Sequence, residues 1–154
     1  MTREFAAPFI VNDDVRLAAQ VDADGVHFGA MDGSLHAARD VLGKHKIIGV
    51  SCYNQILLAR NAVDAGADYV AFGSFFASTV KPDAVAATPD LLRQARRELV
   101  VPLVAIGGIT AQNGAQLAEA GASALAVISA LFDAADIQAA ARDFSKLFIR
   151  DFAS

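Results

Sequence analysis

The chain has 154 residues, 55% of them hydrophobic and 19% charged, a composition that predicts one globular domain spanning residues 1–154. The net charge is −4 and the 13 Lys and Arg residues are scattered, which excludes a nucleic-acid-binding surface and a polyanionic partner. No apolar run reaches membrane-spanning length, the amino terminus lacks a signal-peptide core and the lone Cys52 fits a reducing compartment, so we expect a cytoplasmic protein without membrane contact.

Short apolar runs alternate with amphipathic stretches of roughly ten to fifteen residues, the pattern of parallel βαβ units. The predicted strands are Phe9–Asn12, Gly25–Gly29, Lys46–Ser51, Tyr69–Ser74, Pro102–Ile109 and Ala124–Ser129. The predicted helices are Asp14–Val21, Ser34–Leu42, Gln55–Ala65, Pro89–Leu99, Gln112–Ala120 and Ile137–Phe148. Thr88 and Pro89 mark one helix start, and the helix ends are marked by Gly43, Gly66 and Gly121. Cys52, directly after the third strand, is expected to be a buried small hydrophobe.

About six βα units allow two architectures. A closed (βα)8 barrel needs eight units and typically about 250 residues, so on this interpretation the chain is a TIM-type (βα)8 barrel that is incomplete at the amino end. An open doubly wound sheet fits the length better, but its nucleotide fingerprint follows the first strand, and Asn12-Asp13-Asp14 contains no glycine. We therefore favour the incomplete barrel over a flavodoxin-like sheet.

Residues 101–110, Val-Pro-Leu-Val-Ala-Ile-Gly-Gly-Ile-Thr, form an apolar strand that ends in paired glycines. Glycines at a strand end present bare backbone N–H groups to an anion. The next apolar run ends at Ser129, and a phosphate usually binds at the last two strand-to-helix loops of a parallel barrel. The sequence therefore predicts a phosphorylated small-molecule ligand.

Polar residues collect at the predicted carboxyl ends of the strands and in the loops beyond. They are Asn12, Asp13, His27, Asp32, Ser51, Ser74, Ser78, Thr79, Lys81 and Ser129. Asp13 and Asp32, on neighbouring loops without a His or Cys partner close by, suit Mg2+ that retains waters and grips a diphosphate. Lys81 supplies a mobile positive charge for the same anion.

Each candidate also has a structural interpretation that the sequence leaves open. Asp13 is equally well explained as the cap of the helix beginning at Asp14, and Asp32 before Gly33 is a common turn pair. Lys81 before a proline is often a solvated loop charge. We expect His27 to be a core residue hydrogen-bonded to the backbone rather than a catalytic group.

The order and spacing of six motifs resemble the thiamine phosphate synthase family, also called thiamine-phosphate pyrophosphorylase. The motifs are Phe-Ile-Val-Asn-Asp, Ala-Asp-Gly-Val-His-Phe-Gly, Ile-Ile-Gly-Val-Ser-Cys, Gly-Ala-Asp-Tyr-Val-Ala-Phe-Gly, Lys-Pro-Asp and Val-Ala-Ile-Gly-Gly-Ile-Thr, and the resemblance runs from about Pro8 to about Phe148. It implies a (βα)8 barrel that joins hydroxymethylpyrimidine diphosphate to thiazole phosphate, giving thiamine phosphate and diphosphate.

Carried over residue by residue, the resemblance implies that Asp13 and Asp32 are the Mg2+ ligands. It also implies the substrate contacts, which are Asn12, Ser51 and Lys81 to the pyrimidine diphosphate, Ser78, Thr79 and Val80 to the thiazole, and Gly108, Ile128 and Ser129 to the thiazole phosphate. Ser51 and Lys81 would be the catalytic pair. The implied chemistry is dissociative and needs no general base, so positioning and electrostatic stabilisation supply most of the rate.

The chain departs from the family pattern in three respects. Ala30 stands where the family often has Gln, and Val80 loses a hydroxyl. The family's first two βα units, with the Gln-x-Arg-x-Lys strand end that grips the diphosphate, are absent. A truncated copy, a gene read from an internal Met and a non-catalytic phosphate-binding remnant are therefore open alternatives. A thiazole tautomerase would need a His near the third strand end, where the chain has Cys52-Tyr53.

A six-stranded array leaves the strand edges at Phe9–Val11 and Leu125–Ile128 without neighbours. Exposed apolar edges favour association. We therefore expect the 154-residue chain to be poorly soluble or a homo-oligomer, and nearly inactive without the Arg and Lys strand end.

Overall fold

The computed structural model describes residues 2–29, 34–77 and 86–148. Five predicted site residues lie outside these ranges, namely Asp32, Ser78, Thr79, Val80 and Lys81. The roles predicted for them stay predictions.

The described residues form six strands and seven α-helices, with one helix after each of the first five strands and two after the sixth. The strands are β1 (Ile10–Asn12), β2 (Gly25–Gly29), β3 (Ile47–Ser51), β4 (Tyr69–Phe72), β5 (Leu103–Ile106) and β6 (Ala124–Ala126). The helices are α1 (Val15–Gln20), α2 (Leu35–Leu42), α3 (Ile56–Asp64), α4 (Pro89–Glu98), α5 (Ala111–Glu119), α6 (Ser129–Phe132) and α7 (Ile137–Lys146), after a short 3-10 turn at Arg3–Phe5. All predicted strands and helices are present, and α6 is the helix that the sequence did not predict.

The last three strands end two or three residues earlier than predicted. β5 ends at Ile106 because Gly107 and Gly108 take positive φ angles of 101° and 61°, which turn the backbone out of the extended conformation. β6 ends at Ala126 because Ser129 already begins α6. The predicted strands are too long here because the apolar composition continues through both turns.

The strands pair in the order β1-β2-β3-β4-β5-β6, and every pair is parallel. Each crossover therefore moves in the same direction along the sheet, so the right-handed connections place the helices on one face. A doubly wound sheet reverses its strand order at a switch point, and this sheet does not. The flavodoxin-like alternative is therefore wrong, and six units of a (βα) barrel are present in the described residues.

The two faces of the sheet have different environments. The helix-side face supplies strand residues to the buried core, among them Val26, Phe28, Ile48, Val50, Val70, Phe72, Leu103 and Ala105. The opposite face, here called the open face, carries Asn12, His27, Gly49, Ser51 and Tyr69, as the pairs Asn12↔His27, His27↔Gly49 and Gly49↔Tyr69 show. Apart from Gly49, these residues are half-buried or exposed. The polar side chains of these strands therefore lie on the open face.

β1 and β6 are the edges of the sheet, as the sequence predicts, and each pairs with one strand within the described residues. Large apolar side chains are exposed beside these edges, where Phe9 is 42%, Ile128 72% and Phe132 65% exposed. Ile137 and Phe148, at the two ends of the terminal helical region, are also exposed.

Helix ends follow the predicted end signals. Gly43, Gly66 and Gly121 all have positive φ angles at the carboxyl ends of α2, α3 and α5. Thr88 is the N-cap of α4 and Pro89 its first residue, although the Thr88 side chain makes no capping hydrogen bond. Among the described residues, no helix combines the length and hydropathy needed to cross a membrane.

Cys52 is fully buried, as predicted, and its Sγ lies 3.6 Å from the Val50 carbonyl oxygen. Burial raises the pKa of the Cys52 thiol to about 12. The thiol therefore stays protonated throughout the neutral range.

We expect Cys52 to resist alkylation by iodoacetamide at pH 8 in the folded protein, because the thiolate is the nucleophile. The pKa shift alone lowers the thiolate fraction roughly a thousandfold relative to an unperturbed thiol. Mass spectrometry of the labelled protein measures this, with the same chain in guanidinium chloride as the control that reacts fully. Labelling at equal rates in the two conditions would contradict the burial of Cys52.

Candidate functional site

The carboxyl ends of parallel strands meet at one end of a barrel, where barrel enzymes place their active sites. The structure puts six predicted site residues at that end, namely Asn12, Asp13, Ser51, Gly108, Ile128 and Ser129. Asn12 and Ser51 are the last residues of β1 and β3. The remaining four lie in the segments that directly follow β1, β5 and β6.

Asp13 does not cap the following helix. α1 begins at Val15, and its N-cap is Asp14, whose Oδ1 accepts a hydrogen bond of 2.8 Å from the Leu17 N–H. Asp13 instead has a φ of 61°, and its N–H donates to the His27 carbonyl oxygen at 2.8 Å. The capping interpretation of Asp13 is therefore wrong, and its carboxylate is available to a ligand.

The Asp13 carboxylate is exposed and fits a hard cation. Its Oδ2 accepts a hydrogen bond of 2.6 Å from the Asn12 amide, which holds the carboxylate at the end of β1. The described residues contain no group of three His, Cys, Asp or Glu side chains that could enclose a metal ion. Mg2+ needs no such group, because it usually takes one or two carboxylates and completes its shell with waters and substrate phosphates.

A chain of hydrogen bonds runs across β2, β3 and β4 on the open face. His27 Nδ1 lies 2.9 Å from the Tyr69 hydroxyl oxygen, and His27 Nε2 lies 2.8 Å from Ser51 Oγ. The imidazole and phenol rings are stacked, with centroids 5.5 Å apart and planes 20° apart. These three residues are called the Tyr69–His27–Ser51 network below. The expectation that His27 bonds the backbone through its side chain is therefore wrong, since both ring nitrogens face side chains.

Burial lowers the pKa of His27, and this outweighs the charge of Asp13, which acts to raise it. Burial also raises the pKa of the Tyr69 phenol. Both groups are therefore uncharged at neutral pH, and a neutral imidazole has one donor and one acceptor nitrogen.

Gly49 makes room for this network. It lies between His27 and Tyr69 in the register of the sheet, and a Cβ at Gly49 would lie 2.0 Å from Tyr69 Cζ. Only a glycine lets the phenol cross β3 to reach the imidazole. Sequence reasoning did not single out Tyr69 or Gly49, although a glycine inside a strand often marks close approach of another group.

The Gly107-Gly108 loop, which the sequence predicts to bind a phosphate, is held by hydrogen bonds to its carbonyl groups. The Gly107 carbonyl accepts from the Phe76 N–H at 3.1 Å, and the Gly108 carbonyl accepts from the Asn113 side-chain amide at 3.1 Å. No acceptor for the Gly108 N–H lies in the described part of the chain. α5 follows directly, with a capping box formed by Thr110 and Asn113.

Ile128 and Ser129 lie after β6 rather than at its end. Ile128 is the N-cap of the four-residue helix α6 and Ser129 its first residue, and both are exposed. A short extra helix after the final strands is a common part of phosphate sites in barrel enzymes. The structure therefore changes the element that carries Ser129 but leaves it on the same end of the barrel as Gly108.

The matching family model and the most similar relatives belong to one family. The family model described as thiamine monophosphate synthase matches residues 1–131. The thiamine-phosphate synthase of Methylobacillus flagellatus is 58% identical over 148 residues, which cover 96% of this chain and 70% of the relative. That of Thiobacillus denitrificans is 55% identical with the same coverage.

Two solved structures show the same fold, and one of them is named for the same activity as the relatives above. The thiamine phosphate pyrophosphorylase from Pyrococcus furiosus superposes with a TM-score of 0.85 at 36% identity, covering 96% of this chain and 70% of that chain. The 3-hexulose-6-phosphate synthase from Salmonella typhimurium, with a TM-score of 0.74 at 21% identity over 96% of this chain and 76% of its own, shares the fold alone. The predicted barrel class is thereby confirmed.

Proposed function

The chain belongs to the thiamine monophosphate synthase family, and on that premise we propose that it joins hydroxymethylpyrimidine diphosphate to thiazole phosphate, forming thiamine phosphate and releasing diphosphate. The observation that carries the proposal is the convergence of Asn12, Asp13 and Ser51 on one end of the barrel, in a chain 58% identical to a thiamine-phosphate synthase. The family resemblance seen in the motifs is thus confirmed, while the substrates and site residues are our proposal.

The diphosphate subsite lies, in this proposal, at the ends of β1 and β3. Asp13 and Asp32 hold Mg2+, which supplies positive charge to the departing diphosphate when it is bound. Asn12 and Ser51 donate hydrogen bonds to the pyrimidine diphosphate, and Lys81 adds a mobile charge. The exposed Asp13 carboxylate, held by the Asn12 amide at 2.6 Å, supports this assignment.

The thiazole phosphate subsite lies at the ends of β5 and β6. The Gly108 N–H and the Ile128-Ser129 segment bind the phosphate in this proposal, and Ser78, Thr79 and Val80 are assigned to the thiazole. Backbone N–H groups beside a helix start are suited to a phosphate. The Gly108 N–H has no acceptor within the described residues, which supports the assignment.

The proposed reaction breaks the bond between the pyrimidine methylene carbon and the diphosphate oxygen, and the bonding electrons leave with diphosphate. The thiazole nitrogen then forms the new bond to that carbon with its own electron pair. No proton has to be removed, so no general base is required. Ser51 and Lys81 act by stabilising the charge that develops on the leaving oxygens, and the two subsites align the reactants.

The proposal is tested by incubating the 154-residue chain with both substrates and Mg2+ and measuring thiamine phosphate. Slow formation of thiamine phosphate by the wild-type chain, lost on chelation of Mg2+, is the expected result, because the chain is expected to have little activity without the Arg and Lys strand end. Binding of thiazole phosphate in a calorimeter without product would favour the non-catalytic remnant. Conversion of the thiazole alone would favour the tautomerase.

We also propose that residues 1–154 form one domain and that the chain self-associates through its sheet edges. One buried cluster links residues from β3 to α5, and Phe144 of α7 packs against it. The exposed Ile128 and Phe132 lie beside the β6 edge. Sedimentation velocity at increasing protein concentration measures self-association, and a monomer at every concentration would contradict it.

A further inference from the structure

The Tyr69–His27–Ser51 network runs from inside the sheet to the carboxyl ends of the strands. Ser51 is the last residue of β3 and pairs with Ala71, whereas Tyr69 lies two residues deeper along β4. We propose that Tyr69 acts through His27 as a positioning residue that directs the Ser51 hydroxyl proton toward the anionic substrate. The proposal rests on the diphosphate subsite described above, with Ser51 as the group that touches the substrate.

The position of the Tyr69 ring is fixed by the Gly49 backbone and by the His27 ring. Its ring crosses the Gly49 backbone, where a Cβ would lie 2.0 Å from Cζ and 2.4 Å from the phenol oxygen. It stacks on the His27 ring at 5.5 Å. The phenol oxygen thereby lies 2.9 Å from Nδ1 of the imidazole.

Two assignments of hydrogens fit the geometry, because each ring nitrogen of His27 lies within hydrogen-bond distance of a hydroxyl that can either donate or accept. In the first, the phenol donates to Nδ1 and the Nε2–H donates to Ser51 Oγ. The Ser51 hydroxyl proton can then be donated to a ligand. In the second, the Ser51 hydroxyl donates to Nε2 and the Nδ1–H donates to the phenol oxygen, so Ser51 has no proton left to donate to a ligand. A phenol is a far stronger acid than an aliphatic hydroxyl and so a better donor, which favours the first assignment.

The chemistry of the ligand favours the same assignment. The diphosphate ester of the substrate is fully ionised at pH 8, so its oxygens accept hydrogen bonds and offer no donor. Ser51 therefore helps to bind them only if its hydroxyl proton is available. Within the described residues, His27 is the one side-chain partner of both Ser51 and Tyr69. In the first assignment Ser51 receives a hydrogen bond from His27 and donates its own to the anion, and such a chain of hydrogen bonds is cooperative.

The hydrogen assignment is measured directly by 15N NMR of the histidine rings at pH 8. His27, identified by its loss in His27→Gln, is expected to be the Nε2–H tautomer, and Tyr69→Phe is expected to raise the population of the Nδ1–H tautomer. Tyr53→Phe, which removes an exposed phenol outside the network, is the matched control and leaves the spectrum of His27 unchanged. An Nδ1–H tautomer in the wild-type chain would overturn the proposal.

The positioning role is measured by calorimetric binding of diphosphate in the presence of Mg2+. Ser51→Ala is expected to weaken binding roughly tenfold or more, the usual loss for a hydrogen bond to a charged group. Tyr69→Phe weakens it about threefold to tenfold, and Tyr53→Phe leaves it unchanged. In the Ser51→Ala background, Tyr69→Phe has no further effect, because its action passes through Ser51. Independent, additive losses would overturn the positioning role.

Failure of this proposal is distinguishable from failure of the proposed function. If the chain forms thiamine phosphate while Tyr69→Phe behaves as Tyr53→Phe does, the synthase function stands and the positioning role is wrong. If the chain binds diphosphate with the coupled losses described above yet forms no product, the network is confirmed and the synthase function is wrong. Absence of diphosphate binding by the folded wild-type chain would overturn both.

Discussion

Asp13→Asn is expected to weaken binding of Mg2+ and diphosphate at least about tenfold, since even residues that act behind a metal ligand commonly cost that much. The substitution removes a full negative charge but preserves the backbone, because Asn tolerates the φ of 61° that Asp13 adopts. The Asn12 amide loses a carboxylate acceptor, but the fold is retained. Calorimetric titration of diphosphate at several Mg2+ concentrations measures the effect.

The neighbouring carboxylate provides a matched control. Asp14→Asn makes the same chemical change one residue away, and it should leave both Mg2+ binding and stability almost unaltered because Asn is an equally good N-cap. Asp14→Ala should lower the free energy of unfolding by about 1 kcal/mol through loss of the cap to Leu17, with Mg2+ binding unchanged. Equal Mg2+ dependence in wild type and Asp13→Asn would show that Asp13 is not a ligand.

The Asp13-Asp14 pair shows where sequence reasoning reached its limit. Both carboxylates precede an apolar helical pattern, so spacing alone could not decide which one caps α1. The structure decides because the Asp13 N–H donates to the His27 carbonyl of the adjacent strand, a contact between residues 14 positions apart in the chain. That bond fixes Asp13 beyond β1 and leaves Asp14 to begin the helix.

Most of the fold was predictable because each strand of the barrel is a local apolar run, and parallel pairing of consecutive units follows from right-handed connections. α6 was missed because its four residues directly continue the apolar run of β6. The Tyr69–His27–Ser51 network was missed for a different reason. It depends on the register that places Gly49 between His27 and Tyr69, and no local pattern encodes register between separate strands.

Gly108→Val is expected to lower the free energy of unfolding by about 3 kcal/mol or more, from backbone strain and overpacking together. Gly108 has a φ of 61°, and a Cβ there would lie 2.6 Å from the Ala77 carbonyl oxygen and 2.7 Å from that of Phe76. Both contacts are with backbone atoms, which cannot rotate away. The loop after β4 must therefore separate from the loop after β5.

The same substitution at Gly66 separates strain from collision. Gly66 also has a positive φ, of 95°, but a Cβ there would meet no atom within 4 Å, so Gly66→Val should cost only the strain, about 1–2 kcal/mol. Urea unfolding of the two variants measures the difference. If Gly108→Val costs no more than Gly66→Val, the contact between the loops after β4 and β5 is contradicted. If it costs more, as we expect, the close approach of Gly108 to the Phe76 and Ala77 carbonyl oxygens is what excludes a side chain at this position.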